Sequence, residues 1–217
     1  MQLETYSRAM AVAVMALVAI GLAGCAGLPK PELSAALRTQ YHISDIVVET
    51  PANAEIWWGD AERELAAKEG VSFSDNGDGS AISQDEYAKR PETRAYVGKR
   101  IAGIVKDAVQ TNTQGVLNGS QPAKLRVEVR GLHISSAIQR IVVGGGHNLF
   151  VDAWLVDAKT DKQLTPRQKF TGLVFAGQGV GGVLADQVVN AATKDPVYRL
   201  ADEVGQKMIV WLRPPGT

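Results

Sequence analysis

The chain has one cysteine in 217 residues, Cys25, so it forms no internal disulfide and must be held together by a buried core. It has three histidines, His42, His133 and His147, with no two at the helical or turn spacing that would bring two imidazoles onto one ion, so no metal site is expected. It has no excess of either charge: 23 basic residues face 23 acidic ones, which removes the electrostatic case for nucleic acid. Ser135 and Ser136 lack the sharp Gly-x-Ser-x-Gly elbow of a hydrolase, and no Ser, His and Asp fall in a recognisable catalytic arrangement. The expectation is therefore a protein that is not an enzyme and carries no cofactor.

Long apolar runs are also scarce, with one exception. From Ala9 to Leu22 every residue is Ala, Val, Met, Leu, Ile or Gly, which is long for a cleaved signal core and short for a ~20-residue span of a bilayer. Arg8 stands directly before this run, and Leu22-Ala23-Gly24-Cys25 closes it. Small residues at Ala23 and Gly24 let an extended backbone enter a peptidase, and the thiol that follows is the group lipid modification needs. In these residues the chain resembles bacterial lipoproteins. That resemblance implies cleavage between Gly24 and Cys25, a lipidated Cys25 at the mature N-terminus, and a membrane partner reached through the lipid. Ala26, standing where an aspartate would signal retention, implies by the same resemblance the outer membrane, facing the periplasm.

The domain organisation follows: a signal peptide over 1–24, a lipidated cysteine and Pro29/Pro31 tether over 25–40, one domain over 41–213 and a short tail over 214–217. Within the domain, Tyr41 to Thr50 is rich in Ile and Val and reads as a strand stopped by Pro51. Asp60 is placed to cap a helix that ends at Gly70, and Gly70 to Arg90 reads as a polar surface loop or a partly ordered excursion. Pro91 opens a long helix with Val97, Ile101, Ile104, Val105 and Ala108 on one face. Leu125, Val127 and Val129 alternate with Arg126, Glu128 and Arg130, a strand with one wet face, and Gly131 is placed to make a bulge. Strands over Asn148 to Asp157 and up to Phe175 complete a meander. Asp195 caps a final helix that buries Val197, Leu200, Val204, Met208 and Trp211. This order predicts a two-layer α+β fold: a mixed or antiparallel sheet containing an antiparallel meander, with helices packed on one face.

Gly145-Gly146-His147-Asn148-Leu149 and Val156-Asp157-Ala158-Lys159-Thr160 resemble segments of uncharacterised alphaproteobacterial envelope lipoproteins. More distantly, the element order is similar to the auxiliary lipoproteins of envelope ABC transporters and to TolB-type N-terminal domains. These resemblances imply an envelope context and bring no catalytic residues with them.

Four local motifs remain. Gly177, Gly179 and Gly182 match a dinucleotide fingerprint, but the helical remainder after Gly182 leaves no second strand to supply the ribose-binding acid, so a flexible connection is expected. Asp75 to Gly79 gathers carboxylates around a glycine turn but in poor register for a calcium loop, so an Asx/Gly turn is expected. At least one of Trp57 and Trp58 is expected in the core. Gly144, Gly145 and Gly146, with His147 and Asn148 starting the return strand, are expected to form a hairpin at the rim of the sheet and its partner-facing surface. The functional expectation is an outer-membrane-anchored binding or scaffold component of the envelope with an envelope protein partner. Two alternatives stand beside it: an auxiliary of lipid or solute transport, for which Phe150, Trp154 and Val156 suggest a second, partly apolar sheet face, and an envelope hydrolase.

Overall fold

The structure is a computed structural model and describes residues 33–73, 82–136, 145–175 and 195–213. The leader with Gly24 and Cys25, the Asp75–Gly79 turn, Gly144, the Gly177–Gly182 motif and the tail lie outside the described residues.

Helix α1 (Ala35–Gln40) leads directly into strand β1 (Tyr41–Glu49). The tether was expected to run to Gln40. Instead Ser34 caps α1 by accepting the Leu37 N–H at 3.3 Å, and Leu33 is already buried in the core. Strand β2 (Glu55–Trp57) follows, then α2 (Gly59–Glu69), α3 (Gln84–Ala88) and α4 (Pro91–Thr113). Helix α2 starts one residue before the expected cap, so Asp60 sits inside the first turn, where it pairs with Arg63 and its charge favours the positive helix end. Gly70 ends it in the left-handed region at φ 69°, donating its N–H back to Ala66 and Ala67. Helix α3 is the ordered part of the polar stretch between Gly70 and Arg90. Ser83 caps it by accepting the Glu86 N–H at 3.2 Å, and Ser83-x-x-Glu86 is the capping-box spacing that would have announced it.

Strands β3 (Gln121–His133), β4 (Gly146–Asp157) and β5 (Gln168–Phe175) form the predicted antiparallel meander, and α5 (Pro196–Leu212) closes the chain of elements with Asp195 accepting the Val197 N–H at 2.8 Å. The sheet is mixed, in the order β1-β3-β4-β5, with β2 lying beyond β1 along the same side of β3. Both β1 and β2 run parallel to β3, because helices rather than a tight turn separate them from it. The register between β3 and β4 shifts between Val129 and Gly131, where a bulge was expected.

Helices α4 and α5 cover one face. Val97, Ile101 and Val105 of α4 and Leu200, Val204 and Met208 of α5 are buried against Leu125, Val127 and Val129 of β3 and Leu149, Val151 and Leu155 of β4. Gly172 lets α5 come close: a Cβ there would stand 2.5 Å from the Leu200 carbonyl oxygen. That approach closes the free edge of β5. The Leu173 N–H donates to Glu203 Oε2 at 2.6 Å, and Lys207 Nζ donates to the Thr171 carbonyl at 2.6 Å, so an i,i+4 ion pair on α5 occupies backbone groups an incoming strand would need. On the opposite edge, β1 is irregular between Ile43 and Asp45, where Asp45 takes the Ile46 N–H at 2.8 Å.

Candidate functional site

The face of the sheet opposite the helices has two parts, both set by the two-residue period of the strands. Its middle is charged. Glu49, Glu128, Asp152 and Lys169 form one row across β1, β3, β4 and β5. Glu128 accepts from Arg130 at 2.5 Å and from Arg167 at 2.8 Å. Its partial burial raises its pKa, but the two guanidiniums outweigh this and hold the carboxyl below its ordinary value. Arg167 also lies over the Trp154 ring, 3.9 Å from its centroid.

Towards the C-terminal end of β3 the same face becomes apolar. Trp57, His133, Asn148 and Leu173 form a row across β2, β3, β4 and β5, with Phe150 and Phe175 on the same face beside it. Trp57 is 66% exposed, Leu173 60%, Phe175 75% and Phe150 45%, so four of the five exposed large hydrophobic side chains among the described residues share one end of one face. Trp57 is held edge-on to the His133 ring at 6.1 Å. Contiguous exposed apolar side chains of this kind are a feature of contact surfaces in proteins generally.

Of the residues expected to form a partner-facing rim, Gly144 lies outside the described residues. Gly145 and Gly146 lead into β4, the antiparallel neighbour of β3, and Asn148 is on the apolar row. His147 is not at the surface: it is buried, and its Nδ1 accepts the Ser135 N–H at 3.1 Å, while Ser135 Oγ donates to the Gly146 carbonyl at 2.7 Å. The serine and histidine thus meet through the backbone amide, with the hydroxyl engaged on a carbonyl, and together they pin the entry of β4. His42 donates through Nδ1 to the Gly119 carbonyl at 2.9 Å, at the opposite end of β3 from the other two histidines. Among the described residues no three potential metal ligands come together. Trp58 is buried, so one of the pair is in the core as expected, and Trp57 is exposed. Of the partly apolar face suggested by Phe150, Trp154 and Val156, only Phe150 is open. Trp154 lies under Arg167, and Val156 pairs with Gln163 of the connection leading to β5.

A cleft of about 990 Å³ opens beside the apolar end, between the loop from Thr50 to Gly59, α3 and the first turns of α4. Glu62 is buried in its wall and accepts from Gln84 Nε2 at 2.8 Å. Burial raises the Glu62 pKa, and the Gln84 hydrogen bond only partly offsets this. A carboxyl whose folded pKa lies above its unfolded value binds its proton more tightly in the native state, so its contribution to stability is present in acid and is lost as pH rises from about 4.5 through the folded value. Glu62→Gln keeps an acceptor for Gln84 and removes the charge. The variant is expected to be more stable than the parent at neutral pH and to lose the decline above pH ~4.5, read by denaturant unfolding at several pH values. An unchanged slope would mean that Glu62 ionises as it does in the unfolded chain.

No helix among the described residues is long and apolar enough to cross a membrane. Among curated proteins none matches the chain. Solved structures similar to it include a candidate lipoprotein of Caulobacter crescentus, at 20% identity over 52% of this chain and 80% of that one with a TM-score of 0.32. The PelC dodecamer of Paraburkholderia phytofirmans matches at 9% identity over 85% and 94%, TM-score 0.34, and lipoprotein GNA1162 of Neisseria meningitidis at 15% over 72% and 99%, TM-score 0.25. The model of a family of unknown function, DUF6778, matches residues 92–213, from the start of α4 to the end of α5. The chain belongs to that family.

Proposed function

We propose that the protein is a lipid-anchored envelope protein that binds or scaffolds another envelope component. The observation that carries this reading is the Leu22-Ala23-Gly24-Cys25 box at the end of the only long apolar run, with the only thiol of the chain at its last position. Two or three acyl chains on Cys25 supply the anchor, since each buried methylene contributes about 0.8 kcal/mol and a single chain binds reversibly. The domain then begins at Leu33, eight residues after Cys25, a span of at most ~28 Å of extended chain. The outer membrane, with the domain in the periplasm, is the finer location proposed, on Ala26. The binding role is supported by the apolar end of the open sheet face, an arrangement suited to contact rather than to chemistry.

Growth with radiolabelled palmitate tests the anchor. Label is expected on the protein and is expected to vanish in Cys25→Ser; label that persists in that variant overturns the proposal.

A further inference from the structure

We draw no further inference here: the strongest candidate, the apolar patch of Trp57, Phe150, Leu173 and Phe175 at one end of the open sheet face, carries none because nothing in the structure shows what covers it.

Discussion

Trp58→Ala is expected to lower folding stability by about 3–5 kcal/mol, and Trp57→Ala by less than about 0.5 kcal/mol, although the two residues are adjacent and identical. Trp58 is 2% exposed and lies in the main core with Ala61 and Val97, so truncation leaves a cavity that α2 and α4 cannot both fill. Its outer side is roofed by Arg100, whose guanidinium lies 4.8 Å from the ring centroid. Glu64 holds that arginine in place, and the hydrogen bonds from Lys68 and then Arg100 lower the Glu64 pKa to about 2. Trp57 has no such enclosure. For a domain of this size the Trp58 variant should melt lower by on the order of 10 °C, and differential scanning calorimetry of the two variants checks the contrast. Similar midpoints for both would mean that Trp58 is not a core residue.

Gly172→Val is expected to cost about 3 kcal/mol and to make the protein prone to aggregate. The new Cβ would press on the Leu200 carbonyl oxygen and on Val204 Cγ2, and the first of these is backbone that no rotamer change can move. Helix α5 must therefore shift from β5. That shift also withdraws Glu203 and Lys207 from the Leu173 amide and the Thr171 carbonyl, leaving the edge of β5 unpaired. Gly172→Ala should move both quantities the same way by a smaller amount. Chemical unfolding measures the first effect, and light scattering on storage the second; a Val variant as stable as the parent would show that α5 has room to spare.

The parts of the fold that could be read in advance are those with a long period. Helices α4 and α5 showed their buried stripes from Val97 to Ala108 and from Val197 to Trp211, and the alternation from Leu125 to Val129 gave β3 its inner face. Strand β2 could not be read, because three residues show no period and Trp57 and Trp58 do not announce which ring is covered. The burial of Trp154 depends on Arg167, thirteen residues later in sequence, which alternation cannot foresee. His147 opens a strand after a run of glycines, a pattern suggesting exposure, and is instead drawn inward by the Ser135 amide from the preceding strand end. Leu173 and Phe175 were within reach: Phe170 is the buried anchor of β5, and counting by two from Lys169 places both outward. What remained illegible was that β2, β4 and β5 bring Trp57, Phe150 and Leu173 to one end, since that depends on register and not on any one segment.

The ion pair of Glu203 and Lys207 also bears on what kind of assembly this molecule can enter. Strand addition at a bare edge reproduces another bare edge, so it has no natural end and leads to fibres. With the β5 edge occupied by its own helix and the β1 edge broken at Asp45, that mode is discouraged on both sides. A fibre built on this sheet would first have to peel α5 away from β5.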